Sequence, residues 1–392
     1  MTPRSLTRAR LARHAAACAA AATVALSAVT IPAASAEETS QAATSSAEAT
    51  SETPDSEAPS ATSASDEPNA ETAQATIKPQ HMGFSDTTPY WRKAIRHHAD
   101  RAVELIAHSP SMNIDIPLAI IKAGKPDAPT LYLLNGGDGG EAGANWIQQT
   151  DVIDFYLDKG INVVIPMKGK FSYYTDWVTD VPQLGGVQRW ETFLTKELPG
   201  PLEKELQANG KRAIAGMSMS ATSALLLAEH NPELYDAVGS FSGCAETSTP
   251  AGWLSMALTL DRAKTTPEAM WGPQKGEVNM YNDALHNADK LAGTALYVSN
   301  GSGTAGKYDM PNGPRFQDYT PPETVSAMIQ TIGVGGVIEA TTNVCTHNLD
   351  AKLRKLNIPA TFNFHNTGTH SWSYWQEDLR ESWPVFAKAL EL

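Results

Sequence analysis

One serine in the chain has neighbours that single it out for chemistry. Arg212-Ala-Ile-Ala runs into Gly216-Met-Ser218-Met-Ser220, and an Ala- and Leu-rich stretch, Met219–His230, comes at once after it. A serine on a sharp strand-to-helix turn stands exposed above the sheet. Its neighbours must be small because the turn crowds them, and the following helix N-terminus favours a developing oxyanion. Ser220 stands where the G-x-S-x-G pattern ends in glycine, and it is small enough to keep the turn. The alternative reading of Ser218 is an ordinary helix N-cap. Nucleophilic chemistry needs a histidine later in the chain, and His230, His286, His347, His365 and His370 are available. His370 lies in Asn366-Thr-Gly-Thr-His-Ser-Trp, a loop directly after the strand-like Ala360–Phe364. His365 sits at the strand end itself and reads as structural, while His97 and His98 read as solvated side chains on a surface helix.

An acyl-transfer site also needs backbone N–H groups aimed at the carbonyl oxygen. Met219, next to the serine, supplies one, and the loop Leu134-Asn-Gly-Gly-Asp-Gly-Gly140 after an early strand is suited to supply the second. A competing motif, Gly301-Ser-Gly-Thr-Ala-Gly306-Lys307-Tyr308, matches G-x-G-x-x-G but has Tyr308 where a P-loop needs Ser or Thr. Pro311, Gly313 and Pro314 forbid a helix after it, so it reads as a connection at the sheet edge, and no nucleotide cofactor is expected. With no H-E-x-x-H or carboxylate cluster in the chain, no metal is expected either.

The elements that must position these residues alternate. Strands are expected at Thr130–Leu134, Ile161–Pro166, Arg212–Ala215, Ala237–Phe241, Ala295–Ser299 and Ala360–Phe364. Helices are expected at Trp146–Lys159, Trp190–Asn209, Met219–His230, part of Glu323–Val344 and Ser373–Leu390. That alternation predicts an α/β fold, a mostly parallel sheet with helices on both faces. It occupies residues 81–392. Ahead of it, residues 1–36 read as a secretory signal, with four arginines, an apolar run from Ala15 to Val29 and Ala34-Ser-Ala36. Residues 37–80 read as a disordered acidic linker, because 37–76 contain nine acids and no aromatic, Val, Ile, Leu or Met.

The net charge of −13 therefore divides into +4 on residues 1–36, −9 on 37–76 and −8 on 77–392. An acidic surface does not suit a phosphate backbone, which excludes nucleic acid as a partner. Export leaves Cys244 and Cys345 in an oxidising compartment, where they most simply pair with each other.

Several stretches together resemble the secreted mycoloyltransferases of mycolate-bearing bacteria, the antigen 85 family and its corynebacterial relatives. They are Tyr132-Leu-Leu-Asn-Gly136, Tyr174-Thr-Asp-Trp177, Trp190-Glu-Thr-Phe-Leu194, Gly216-Met-Ser-Met219 and Gly368-Thr-His-Ser-Trp-Ser-Tyr-Trp375. The resemblance implies an α/β-hydrolase fold with Ser218 as nucleophile, His370 as base, and Gly137 and Met219 N–H groups as the oxyanion hole. It implies Glu339 as the acid, with Asp350 in reserve because the spacing to Asn348-Leu349 is longer here. It also places Asn135, Asp138 and Trp372 in the substrate site. Asn135 replaces the family's acidic residue, Asp138 replaces an arginine of the mycobacterial sugar site, and Trp372 matches. A Cys244–Cys345 bridge would then pin the acid-bearing segment to the sheet.

The reaction that the resemblance implies is ping-pong transfer of a mycoloyl group from trehalose monomycolate, through acyl-Ser218, to a sugar, arabinogalactan or protein hydroxyl during cell-envelope assembly. No cofactor is needed, and peripheral contact with the mycolate envelope is expected. Two rivals use the same residues differently. A secreted carboxylesterase would pass the acyl group to water, and a cell-wall binding protein on a hydrolase fold would not turn over at all.

Overall fold

The computed structural model describes residues 73–80, 85, 87–317 and 319–392, all within a single unit, Glu71–Leu392. The expected signal, residues 1–36, and the linker as far as residue 72 lie outside the described residues. Nine strands form one sheet in the order β1-β2-β3-β5-β4-β6-β7-β8-β9. They are β1 (Thr76–Pro79), β2 (Ala102–Ser109), β3 (Ile114–Ile121), β4 (Ala128–Leu134), β5 (Asn162–Pro166), β6 (Ala208–Met217), β7 (Ala237–Phe241), β8 (Ala295–Asn300) and β9 (Thr361–Phe364). From β5 through β9 all pairings are parallel, whereas β1, β2 and β3 are joined to one another, and β3 to β5, in antiparallel fashion. This is the expected α/β-hydrolase type of architecture.

The central strands form because their sequences are mostly apolar, with Thr130, Asn162 and Ser240 among the exceptions. Every residue of β4, β5 and β7 is buried, as parallel strands covered by helices on both faces require. Their side chains alternate between two cores. Leu131 and Leu133 join Val163, Ile165 and Ala215 on one face, while Tyr132 and Leu134 join Val164 and Ile214 on the other.

Three strands were not among those expected. β2 and β3 carry His108, Glu104, Asp115 and Pro117, which dilute the apolar pattern. β1 falls inside the stretch 37–80 expected to be linker. Its four residues, one of them proline, are stabilised by pairing with β2 at the edge of the sheet. The folded part thus begins earlier than residue 81, since Ala75 is buried and its N–H donates to the Glu197 carbonyl.

Five helices matter for the site. α1 (Met219–His230) buries eleven of its twelve residues, its Met, Ala and Leu together with Ser220, Thr222, Ser223 and Glu229. α2 (Pro250–Asp261) has proline in its first turn and Thr249 capping Gly252 N–H. α3 (Pro321–Met328) opens with a Thr320–Glu323 capping box, passes through a π-helical segment, Ile329–Gly335, and continues as α4 (Gly336–Leu356). α5 (Trp372–Glu381) comes after the loop that leaves β9. The expected helix Trp190–Asn209 stops at Leu206 because Gln207 turns left-handed, at φ 52°, and the next residues start β6.

Register fixes where loops meet. Leu134 pairs with Gly216, Met217 with Phe241, Phe241 with Ser299, and Asn300 with Phe364. The carboxyl ends of β4, β6, β7, β8 and β9 therefore lie along one edge, where an open α/β sheet places its ligands.

Candidate active site

Ser218 occupies the turn between β6 and α1 with φ 56° and ψ −123°, a conformation that side chains rarely adopt. Its hydroxyl makes no cap bond to the helix, so the N-cap reading does not describe it. The turn is tight enough that a Cβ on Gly216 would lie 2.3 Å from the Ser220 carbonyl oxygen. Ser220 does more than fit in the glycine position. Its buried Oγ accepts from Met217 N–H at 3.0 Å and donates to the Leu134 carbonyl at 3.2 Å, tying the turn to β4.

The Ser218 Oγ lies 2.7 Å from His370 Nε2, and His370 Nδ1 lies 2.7 Å from Glu339 Oε2. With Nδ1–H donating to the carboxylate, Nε2 is left to accept the serine proton. Three elements deliver these groups: the β6–α1 turn, the first turn of α4 and the loop after β9. That loop is held by bonds from Gly368 N–H to the Thr304 carbonyl and from His370 N–H to the carbonyl of Gly335, the last π-helical residue. The Trp375 ring packs edge-on to the imidazole at 4.9 Å.

Glu339 is 1% exposed, and such a carboxylate needs donors to keep its charge. Oε1 accepts from Ser242 Oγ at 2.7 Å, Asn300 Nδ2 at 2.9 Å and Gly301 N–H at 2.7 Å. Ser242 itself accepts from Trp375 Nε1 at 2.9 Å, and Thr346 Oγ1 donates to Asn300 Oδ1 at 3.0 Å. Sequence reasoning missed these holders. The available signal was position: Ser242 and Gly301 each come directly after a parallel strand, and Asn300 ends one, at the edge carrying the serine. The disulfide Cys244–Cys345 is formed, with Cα atoms 5.0 Å apart, and it links the loop after β7 to α4 two turns beyond Glu339. Asp350, the reserve acid, is not brought to the site. It lies eleven residues further along α4 and pairs with Arg354 at 2.7 Å.

Of the two oxyanion candidates, Met219 is the serine's neighbour in the chain, and Gly137 lies in the loop at the carboxyl end of β4, the strand paired with β6. Met219 is the first residue of α1, where an N–H has no acceptor within the helix. Gly137 lies in the loop after β4, and a Cβ there would contact Phe171 at 3.4 Å. A cavity of about 40 Å³ opens above Ser218 and His370, lined by Tyr173, Met219, Thr222, Met256, Thr259 and Ile338 among others.

The three expected substrate residues differ in fate, and none lines that cavity. Asn135 is fully buried. It donates to the Pro166 carbonyl at 2.8 Å and accepts from Trp146 N–H at 3.1 Å, so it holds the loop rather than facing a ligand. Asp138 stands 3.9 Å from Arg262, and burial pushes its carboxyl above the usual range. Arg262, which sequence reasoning did not single out, comes from the end of α2 and covers the Phe171 ring. Trp372 is half-buried, edge-on to Trp146 and Trp375. His365 bonds Asp378 Oδ1 at 2.6 Å and does not reach Ser218. The Gly301–Lys307 loop carries Gly301 to Glu339 and leads into no long helix.

A serine hydroxyl, an imidazole and a buried carboxylate in one line are an arrangement that can carry an acyl group by way of a serine ester. Comparison with known proteins agrees with that chemistry. The family model "Putative esterase" matches residues 109–385. The diacylglycerol acyltransferase/mycolyltransferase Ag85A of Mycobacterium tuberculosis is 31% identical over 289 residues, covering 72% of this chain and 79% of its own. The Ag85A of Mycobacterium leprae is 32% identical over 292 residues, covering 70% and 79%. Among solved structures, Mycobacterium tuberculosis MPT51 superposes with a TM-score of 0.59 at 23% identity, covering 74% of this chain and 98% of its own. A ferulic acid esterase does so at 0.50 and 18% identity, covering 74% and 98%. At these identities the two structures speak for the fold.

Proposed function

This chain belongs to the antigen 85 family of acyltransferases, within the wider esterase family, and on that premise we propose that it moves a mycoloyl group between hydroxyls through an ester on Ser218. The observation that carries the reading is the unbroken line from Ser218 Oγ through His370 to a carboxylate that accepts three further hydrogen bonds.

The donor is trehalose monomycolate. His370 Nε2 takes the Ser218 proton as Oγ attacks the ester carbonyl, and Glu339 stabilises the imidazolium. The Gly137 and Met219 N–H groups receive the oxyanion. As the tetrahedral intermediate collapses, the bond to the sugar oxygen breaks, and His370 returns the proton to that oxygen. Trehalose leaves with acyl-Ser218 in place. An acceptor hydroxyl then loses its proton to His370 and attacks the serine ester, which frees Ser218 when the proton is handed back. The acceptor is a second trehalose monomycolate, arabinogalactan or a protein hydroxyl. Asp138, Arg262 and the exposed edge of Trp372 stand on elements beside the site and are the side chains to vary when acceptor choice is studied. We place the reaction outside the cell, in the mycolate envelope, in keeping with the signal-like residues 1–36.

The esterase alternative draws on the family model that spans the same residues. Product analysis decides between them. With trehalose monomycolate and excess acceptor, transfer predicts a new ester, and free acid as the sole product supports hydrolysis. Ser218→Ala should abolish both and remove labelling by a serine-directed phosphonate. Retained turnover in that variant overturns the assignment.

A further inference from the structure

The two walls of the cavity continue outward into a surface without charge. On one side α2 turns Ser255, Met256 and Thr259 to the cavity, while Leu254 and Leu258 project into solvent, the latter 64% exposed. On the other, Ile338 lines the cavity, and the helical run leading to it exposes Val325, Ile329 (68%), Val334 and Val337 (67%). No residue of α3 is buried, so its apolar side chains serve no core of this chain. From Thr324 to Leu349 the sole Asp, Glu, Lys or Arg is Glu339, which is buried, and Thr249–Leu260 contains none. In a chain that is 19% charged, both rims of one pocket are neutral and apolar.

Monomeric proteins rarely expose a contiguous apolar patch of this kind unless something covers it. We infer that this rim seats the protein on a lipid surface, with α2 on one side of the cavity mouth and the α3–α4 run on the other. The inference rests on the proposed reading, in which the donor is a lipid. Two observations commit the rim to lipid. It is continuous with the pocket that must receive an acyl ester, through Ile338 and Met256. Between Thr249 and Leu260, and between Thr324 and Leu349 save the buried Glu339, it also offers no charged side chain to a protein partner, charge returning only at Asp261, Arg262, Glu323 and Asp350. Amphipathic helices with such faces sink into the boundary between headgroups and acyl chains. The cavity, about 40 Å³, has room for about three waters, and the exposed apolar side chains around its mouth extend it for the alkyl part of a lipid. Seated on the layer, the enzyme leaves the alkyl part where it already lies.

Flotation of the full chain with neutral phosphatidylcholine vesicles tests this. The wild type should float equally at low and high salt, because the contact is apolar. A variant with Leu254→Asp, Leu258→Asp, Ile329→Asp and Val337→Asp should bind about tenfold or more weakly. It should transfer from vesicle-borne donor correspondingly more slowly, while its hydrolysis of p-nitrophenyl butyrate in vesicle-free buffer stays within about twofold. Should the fourfold variant lose that soluble activity, Ile329→Asp and Leu258→Asp singly decide by the same flotation. A wild type that stays at the bottom of the gradient overturns the inference, as do variants that float like it. So does a concentration-dependent dimer that the variants dissolve. Failure of the Ser218 assignment shows separately, as soluble-ester turnover that Ser218→Ala leaves unchanged.

Discussion

Replacing Glu339 by glutamine changes one oxygen for an amide and should silence the enzyme through the tautomer of His370. In the native arrangement Oε1 meets three donors, from Ser242, Asn300 and Gly301, and Oε2 meets His370 Nδ1–H. A glutamine can place its oxygen toward only one of these sets. Facing three donors with an NH₂ group would leave three buried donors without an acceptor, at about 1–3 kcal/mol each. The oxygen therefore stays at the Oε1 position, and the amide nitrogen points at His370. Nδ1 must then become an acceptor, which puts the ring proton on Nε2, facing Ser218 with nothing to abstract. The corresponding amide exchange in serine proteases costs about 10⁴-fold in kcat, or about 5 kcal/mol of barrier. Glu339→Ala makes the test sharper. It orphans the same three donors and so unfolds at lower urea, yet it frees His370 to choose its tautomer. The glutamine variant should be the more stable and the less active of the two. Steady-state hydrolysis of a soluble ester, with urea unfolding alongside, reads both orders. A loss of less than about tenfold in Glu339→Gln would refute the tautomer argument, and so would an alanine variant that is slower still.

Three other outcomes are expected from the same geometry. Ser220→Ala removes the acceptor of the buried Met217 N–H and should cost about 1–3 kcal/mol in urea unfolding; a change within error would show that the hydroxyl does not hold the turn. Opening the Cys244–Cys345 bridge, whose partners are 101 residues apart, should lower stability by about 4.7 kcal/mol in the chain-entropy model; a Cys244→Ser/Cys345→Ser variant with an unchanged Tm contradicts it. Burial pushes the Asp378 carboxyl up to about 6, and its bond to that carboxylate raises His365. Both groups hold their protons more tightly folded than unfolded, so their contribution falls as pH rises, first from about 4 to 6 for Asp378 and then through the folded His365 pKa. The stability difference between wild type and His365→Gln/Asp378→Asn should therefore shrink steadily from pH 4 upward, and a flat difference is the contrary result.

The parts legible in the sequence were those where local composition and tertiary environment agree. β4, β5 and β7 are mostly apolar because both their faces are buried, and the Ala- and Leu-rich Met219–His230 is buried on nearly every side. β1, β2 and β3 were hidden because one-sided strands carry polar residues, and β1 is stabilised by its neighbour more than by its own four residues. Ser218 and His370 stood out through turn chemistry and a loop motif. Ser242 and Asn300 did not, because a hydroxyl or an amide at a strand end means little until the fold sets a buried carboxylate against it. Asn135 illustrates the converse. A polar residue in a glycine-rich loop beside the serine suggests a ligand contact, yet both ends of its amide are spent on backbone groups.

The position of β9 has a consequence in time. This strand is four residues long, has a neighbour on one side only, and precedes His370 by six residues. Short edge segments are the first to open when a folded chain fluctuates. None of its four residues is buried, and only Phe362 packs against a central core. Each fraying of β9 swings the histidine loop away and interrupts turnover while the interior remains intact. Heat inactivation should then run ahead of melting, with the enzyme pausing and restarting as its outermost strand comes and goes.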